Sequence, residues 1–168
     1  INSYKRINAP VTASGATWSP NTITYSGNNR THMIRVPGSG RFELRLMDGA
    51  TNPYLLQAGI LAAGIDGIEK KRNPGKPVNV NMYEESHKVK GAKKLPLNLH
   101  QALTNLGNSK VLKDAFGKEV INSYLTLKKR EIKKYNLSNE KKIGFKGAKK
   151  STKSNIITQW EKDNTLDC

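Results

Sequence analysis

The stretch RFELRL, residues 41–46, decides the fold because its charged and apolar side chains alternate strictly. In a β-strand this alternation places the charged side chains on one face and the apolar ones, beginning with Phe42, on the other. The apolar face predicts packing against helices. On the charged face Glu43 lies between two arginines, and such groups are rarely buried unless they are paired or bind a ligand. The charged face is therefore either an exposed, self-neutralised surface or a site in which a carboxylate holds a cation and guanidiniums bind anions.

Arginine is concentrated near the beginning of the chain. A single lysine accompanies the arginines of the first 45 residues, whereas Arg130 is the only arginine after residue 73. A guanidinium binds carboxylate and phosphate oxygens bidentately, while a lysine ammonium acts as a solvated point charge. This segregation indicates an anion-binding site in the first 45 residues, the alternative being that arginine simply favours the strands. The five arginines are Arg6, Arg30, Arg35, Arg41 and Arg45.

The order of short motifs along most of the chain resembles the glutamine synthetases, in the C-terminal part of their catalytic domain. The segment SGATWSP (14–20) and the final TLDC are most similar to the branch called type III, which also contains the γ-glutamylmethylamide synthetases. The motifs that carry the resemblance are NSYKR (2–6), NRTHMIR (29–35), RFELR (41–45), DGATNPYL (48–55), AAGIDGI (62–68), NMY (81–83), LPLNL (95–99), QWE (159–161) and TLDC (165–168).

The expected fold class is α+β, with antiparallel strands followed by helices. Patterning predicts three strands and four helices, and the resemblance implies three regions. The regions are a catalytic-domain part (1–135), a Lys-rich surface insertion (136–155) and a C-terminal helix and tail (156–168). The predicted strands are 21–25, 31–36 and 41–47. The predicted helices are 53–71, 99–106, 109–116 and 119–135.

Two of these helices have a predicted packing face. The first begins at Asn52 and Pro53, a good N-cap followed by a residue suited to the first helical position. In the last helix, lysines are expected on the face opposite the apolar one. The predicted apolar positions are Leu56, Ile60, Ala63 and Ile68 in the first helix, and Ile121, Tyr124, Leu125, Ile132 and Tyr135 in the last.

The resemblance implies a ligase that activates the γ-carboxylate of glutamate with ATP to give γ-glutamyl phosphate, which an amine then attacks. Divalent cations and arginines must neutralise the two anions that meet in such a reaction. By motif position, Glu43 resembles a metal ligand for Mg²⁺ or Mn²⁺. Arg6 and Arg45 resemble the arginines that bind glutamate.

The resemblance also implies the phosphate-binding residues. Arg30 and Arg35 resemble the arginines that meet the ATP phosphates and act catalytically on the transferring phosphoryl group. Arg41, at the near end of the RFELR strand, resembles a further phosphate ligand. Tyr83 matches a tyrosine that is adenylylated in some bacterial members, and we expect a structural role for it here.

The amine-site loop departs from many glutamine synthetases. An acidic residue closes over the ammonium site in those enzymes, whereas Trp18 stands at that place here and no Asp or Glu occurs between Lys5 and Gly40. An apolar wall suits an alkylamine such as methylamine, since burying one methyl group favours binding by on the order of 0.8 kcal/mol. The loop from Arg35 to Arg41 also lacks a lysine of some members, Gly38 standing near its place.

The expected function is an ATP-dependent glutamate–ammonia ligase, with γ-glutamylmethylamide synthetase as the alternative. The rival from another class is a non-catalytic relative or a basic nucleic-acid-binding module. The chain begins within a motif at Ile1, and the family's other metal carboxylates lie upstream of it, so we expect a fragment that is inactive by itself. Its expected partners are glutamate, ATP, ammonium or methylamine, the upstream half of the same chain and neighbouring subunits of a homo-oligomer.

Composition restricts the remaining possibilities. The net charge is +16, but eleven of the basic residues fall between Lys128 and Lys153, where aromatic residues are sparse, which argues against a nucleic-acid site. Cys168 is the only cysteine and the longest apolar stretch is too short to cross a bilayer, so a cytoplasmic protein is expected. For His32 we expect a pairing role rather than metal ligation.

Overall fold

The computed structural model describes residue 3, residues 19–49 and residues 51–143, with residues 138–143 described as backbone. The chain divides into two compact units. The sheet unit is formed by Ser3–Gly49 and Pro74–Leu97, and the helical unit by Ile1–Asn2, Ala50–Asn73 and Asn98–Cys168. Arg30, Arg35, Arg41, Glu43 and Arg45 all belong to the sheet unit.

Within its described residues, the sheet unit contains three short strands in the order β1-β2-β3: Tyr25–Ser26, Ile34–Gly38 and Arg41–Leu44. β2 and β3 form the predicted antiparallel hairpin, closed by a turn in which Gly40 has a positive φ of 77° that favours glycine. β1 pairs with β2 in parallel, so the expectation of antiparallel strands throughout was wrong for this pair.

The predicted second strand begins too early because Asn29 makes a local turn instead. Its side-chain oxygen accepts hydrogen bonds from the backbone N–H and the hydroxyl of Thr31, at 2.9 and 2.7 Å. Such side-chain bonds compete with a strand ladder. Residues 29–33 therefore form a turn, and β2 starts at Ile34.

The apolar face of β3 differs from its prediction. Phe42 is 62% exposed, so it is not packed against a helix as the alternation of residues 41–46 indicated. Among the described residues of this unit, the buried apolar side chains are Met82 and Leu95, which come from the segment that follows residue 74. Hydrogen bonds to that segment also hold the sheet.

The described part of the helical unit contains four α-helices: α1 (Pro53–Glu69), α2 (Leu99–Asn108), α3 (Lys110–Phe116) and α4 (Lys118–Ile143). Three of them begin at polar caps that satisfy free backbone N–H groups. The caps are Asn52 for α1, Asn98 for α2 and Ser109 for α3. The predicted start of α1 is confirmed, and a positive φ of 84° at Gly117 separates α3 from α4. A short 3₁₀ helix, Ser86–Lys88, lies in the sheet unit.

α1 buries none of its residues. The prediction that Ile68 lies on a packed apolar side was wrong, because this side chain is 79% exposed and Ala63 is exposed too. Exposed apolar residues recur along the same side of the helix at Tyr54, Leu61, Ile65 and Ile68. Among the described residues, no helix combines the length and apolar character that crossing a membrane requires.

α4 has the predicted amphipathic face but is longer than predicted. Ile121 and Tyr135 are buried on this face, and Lys128 lies between them with only 6% exposure. Lys128 donates to Glu131 at 2.6 Å and lies 5.8 Å from the centre of the Tyr124 ring, so the expectation that lysines occupy the opposite face fails there. Residues 136–143 are helical rather than part of a loop insertion, and residues 144–155 lie outside the described part.

We predict that Asn52→Ala lowers the free energy of unfolding by about 1 kcal/mol, because the Asn52 side chain accepts hydrogen bonds from the backbone N–H groups of Tyr54 and Leu55 at 3.0 and 3.1 Å. Denaturant unfolding followed by far-ultraviolet circular dichroism measures this. Asn52→Asp is the control, because it keeps the acceptor and adds a negative charge at a helix N-terminus. Equal destabilisation by both substitutions would contradict the capping role.

Candidate active site

Two arginines hold the Glu43 carboxylate on the charged face of the hairpin. β2 and β3 pair Arg35 directly with Glu43, and Arg45 follows two residues later along the chain. Arg35 Nη1 donates to Glu43 Oε2 at 2.6 Å, and Arg45 Nε donates to Glu43 Oε1 at 3.3 Å. Each carboxylate oxygen thus faces one guanidinium, while 45% of the Glu43 side chain remains exposed.

An irregularity in the register creates this pairing. The hairpin pairs Gly38 with Arg41, and without a shift Arg35 would lie opposite Leu44 on the apolar face. The register shifts between Arg35 and Gly38, where Pro37 has no backbone N–H to donate to the ladder. The shift moves the Arg35 side chain to the same face as Glu43.

Asn28 completes the environment of Arg35. Its side-chain oxygen accepts from Arg35 Nε at 2.9 Å and from Arg35 Nη2 at 2.5 Å. Arg35 therefore uses both edges of its guanidinium, one toward Asn28 and one toward Glu43, and only 16% of its side chain is exposed. Nothing in the sequence indicated this contact, because an asparagine that follows a glycine is an ordinary turn signal.

The arginines keep Glu43 ionised. The hydrogen bond from Arg35 is the main cause that lowers the pKa of the Glu43 carboxyl below its usual value, with Arg45 adding to the effect. A carboxylate has about four lone-pair sites, so a carboxylate that accepts one bond at each oxygen retains sites for a hard cation. Glu43 thus fits as one metal ligand. Among the described residues, no group of three or more His, Cys, Asp or Glu side chains is placed to hold a metal ion.

The other predicted site residues divide into two groups. Arg30 lies in the turn before β2 and Arg41 at the start of β3; both are exposed, and neither forms an ion pair within the described part of the chain. Their guanidiniums are open to an incoming anion. Arg6 and Trp18 lie outside the described residues, so their assigned roles stay predictions.

His32 is fully buried and makes two hydrogen bonds. Its Nε2 lies 3.0 Å from the carbonyl oxygen of Val80, and its Nδ1 lies 2.9 Å from the hydroxyl of Thr24. A carbonyl can only accept, so Nε2 carries the proton and, in the neutral ring, Nδ1 accepts from Thr24. His32 thus has structural partners, and neither of them is charged.

Comparisons with known proteins agree on the family. Residues 1–143 match the family model described as glutamine synthetase, catalytic domain. The chain belongs to the glutamine synthetase catalytic-domain family. The family match ends at Ile143, which is also the last residue of α4.

The named relatives include both a glutamine synthetase and a glutamate–methylamine ligase. The chain is 53% identical over 167 residues to the glutamine synthetase of Rhizobium leguminosarum bv. phaseoli, covering 99% of this chain and 34% of that protein. It is 46% identical over 138 residues to the glutamate–methylamine ligase of Methyloversatilis universalis, covering 80% of this chain and 31% of that protein.

The fold comparison gives the same family. The structure of an ADP complex of GmaS has a TM-score of 0.71 and 49% sequence identity, covering all of this chain and 34% of that one. The α+β expectation is therefore confirmed for this part of a glutamine synthetase-type catalytic domain. The chain spans about a third of the length of the relatives that it matches.

The buried state of His32 predicts a pH dependence of stability. Burial lowers the pKa of this imidazole below its ordinary value of 6.5, although the bond to Val80 opposes the shift. Between the lowered pKa and about 6.5, the unfolded chain binds more protons than the folded one. The contribution of neutral His32 to stability is therefore complete above about 6.5 and is lost as the pH falls through this window.

Denaturant midpoints measured across this pH range for the native chain and for His32→Gln would check the effect. The stability advantage of the native chain should shrink on acidification, and a pH-independent difference would contradict it. Glu43, Asp66 and Glu85, whose pKa values are lowered by cationic partners, titrate in both proteins and so cancel in the comparison.

Proposed function

We propose that this chain is the C-terminal part of the catalytic domain of an ATP-dependent ligase that joins glutamate to ammonium through γ-glutamyl phosphate. The observation that carries the proposal is the Glu43 carboxylate bridged by Arg35 and Arg45, with Arg30 and Arg41 open nearby in the same unit. Membership of the glutamine synthetase family supplies the reaction class.

The arrangement suits phosphoryl transfer on electrostatic grounds. Glutamate and the terminal phosphate of ATP are both anions, and their approach requires positive charge that is fixed before the reaction. Arg30, Arg35 and Arg41 are assigned to the phosphates, with Arg30 and Arg35 acting on the transferring group. Arg45 and Arg6 are assigned to glutamate.

The proposal includes Mg²⁺ or Mn²⁺, with Glu43 as one ligand. A bound divalent cation would shield the phosphate oxygens and so lower the repulsion between the two substrates. Glu43 suits it because the carboxylate is ionised, partly exposed and retains free lone pairs. Further ligands must come from outside the described residues.

The complete enzyme is proposed to be a cytoplasmic homo-oligomer in which neighbouring subunits and the rest of the catalytic domain complete the site. The share of its relatives' length that the chain covers, about a third, supports a contribution from further sequence. The single cysteine of the sequence fits a reducing compartment.

The second candidate is a glutamate–methylamine ligase. It is favoured by the absence of Asp and Glu between Lys5 and Gly40, by Trp18 at the expected amine-site loop, and by the similarity to GmaS and to the Methyloversatilis ligase. In this case an apolar wall would contact the methyl group of the amine.

A comparison of phosphate-release rates with the two amines distinguishes the two candidate functions. The complete enzyme, supplied with ATP, Mg²⁺ and glutamate, is predicted to release phosphate faster with ammonium than with methylamine at equal concentration. Faster release with methylamine, by about fourfold or more for one buried methyl group, would establish the second candidate. Trp18→Ala should then reduce the preference, and absence of release with either amine in a folded protein would contradict the ligase proposal.

The role of Glu43 has its own prediction. In the complete enzyme, Glu43→Gln removes the charge at nearly constant volume and should weaken the apparent Mg²⁺ affinity and lower kcat by about 100-fold or more. The measurement is phosphate release as a function of Mg²⁺ concentration, with Glu84→Gln, an exposed carboxylate in the same unit, as the control. An unchanged Mg²⁺ dependence in Glu43→Gln would exclude metal ligation by this residue.

A further inference from the structure

The turn that carries Arg30 is bound to a distant segment of the chain. We call residues 27–33 the arginine loop and residues 78–82 the brace. The carbonyl oxygen of Val80, in the brace, accepts two hydrogen bonds from the arginine loop: Asn29 Nδ2 at 3.0 Å and His32 Nε2 at 3.0 Å. These two donors lie on either side of Arg30 in the sequence, so one carbonyl fixes the backbone before and after it.

A second connection strengthens the first. The hydroxyl of Thr31 accepts from the backbone N–H of Met82 at 3.0 Å and donates to the Asn29 side-chain oxygen at 2.7 Å. Met82 is itself 2% exposed, so this end of the brace is anchored in the core of the sheet unit. The arginine loop is therefore held along its length by bonds that avoid the Arg30 side chain.

Arg30 itself is exposed and forms no ion pair within the described part of the chain, in contrast to Arg35 and Arg45. A guanidinium on a fixed backbone has less freedom to lose when it binds an anion than one on a mobile loop. Charge that is positioned before the reaction stabilises a transition state without reorganisation. The hydrogen bonds of Asn29 and His32 thus contribute to positioning Arg30 as well as to stability.

We propose that Asn29 and His32 are positioning residues that act through Arg30, by tying the backbone on both sides of it to the Val80 carbonyl. The inference rests on the proposed function, in which Arg30 meets the transferring phosphoryl group. In this proposal neither residue contacts the substrate, and both determine the position of the Arg30 guanidinium.

A double-substitution cycle in the complete enzyme tests this. Asn29→Ala is expected to lower kcat for amine-dependent phosphate release by about 100-fold, the scale of a displacement of about 1 Å in a reacting group. The KM for glutamate should change less than about twofold, because glutamate is assigned to other arginines. Arg30→Ala should lower kcat by about 1000-fold. When Arg30 is already alanine, Asn29→Ala should cost less than about a further twofold, because its effect passes through the missing guanidinium.

Ser26→Ala is the matched control. The Ser26 hydroxyl donates to the side-chain oxygen of Asn79 at 2.9 Å, so this bond also joins the sheet to the brace, but it involves no residue of the arginine loop. Ser26→Ala should reduce the denaturant midpoint while leaving kcat within about twofold of the native enzyme. If Asn29→Ala yields no folded protein, Asn29→Asp replaces it in the same cycle, because a carboxylate oxygen can still accept from Thr31 but cannot donate to the Val80 carbonyl.

The possible outcomes distinguish the positioning role of Asn29 and His32 from the assignment of Arg30 to the phosphoryl group. If Arg30→Ala is impaired and the Asn29 substitution costs the same factor with and without Arg30, the positioning role is wrong and the assignment of Arg30 stands. If Ser26→Ala lowers kcat as much as Asn29→Ala, the effect is general to the fold and the positioning role is again wrong. If Arg30→Ala leaves kcat unchanged, the phosphoryl assignment of Arg30 fails and the inference fails with it.

Discussion

The candidate site depends on one shift in the register of the β2–β3 hairpin. A regular antiparallel ladder from the Gly38–Arg41 pair would place the Arg35 side chain on the apolar face, and the irregularity between Arg35 and Gly38 moves it opposite Glu43. The bond between Arg35 and Glu43, the contact of Asn28 with Arg35 and the ionisation of Glu43 all follow from this placement. Pro37 lies within this irregular stretch, and it has no backbone N–H that a ladder bond would have to satisfy.

The sheet unit compensates for a small sheet with polar bonds between distant parts of the chain. Three strands of two, five and four residues bury little apolar surface, and Phe42 remains exposed. The segment after residue 74 supplies what the strands lack: the Val78 N–H donates to the Tyr25 carbonyl at 2.9 Å, and the Val80 carbonyl binds the arginine loop. Buried polar groups are costly unless they are satisfied, so a fully bonded His32 fixes one arrangement of these segments.

Short sequence motifs predicted local features such as helix starts and strand faces, but they did not predict contacts between distant parts of the chain. Asn52 followed by Pro53 located the start of α1, and the alternation of residues 41–46 placed Glu43 on a strand face with its arginines. The parallel pairing of β1, the partners of His32 and the contact of Asn28 with Arg35 depend on which distant segments meet, and periodicity carries no information on that. Lys128 was misplaced for a related reason: its burial follows from Glu131 and the Tyr124 ring, which offset the cost of removing a charge from water.

The balance of charge explains why the site needs arginine rather than lysine. Four arginines, Arg30, Arg35, Arg41 and Arg45, lie on or beside the β2–β3 hairpin, where Glu43 is the carboxylate that pairs with two of them. Arg35 and Arg45, whose side chains are 16% and 21% exposed, share this carboxylate, whereas the two exposed arginines form no ion pair among the described residues. A guanidinium can donate to a carboxylate with one edge and still present other N–H groups to a second anion, which an ammonium cannot do in a fixed geometry. Arg35 already shows this divided use toward Glu43 and Asn28. In the proposed function, a phosphate is bound by such remaining N–H groups and by the exposed arginines while the pair that keeps Glu43 ionised stays intact.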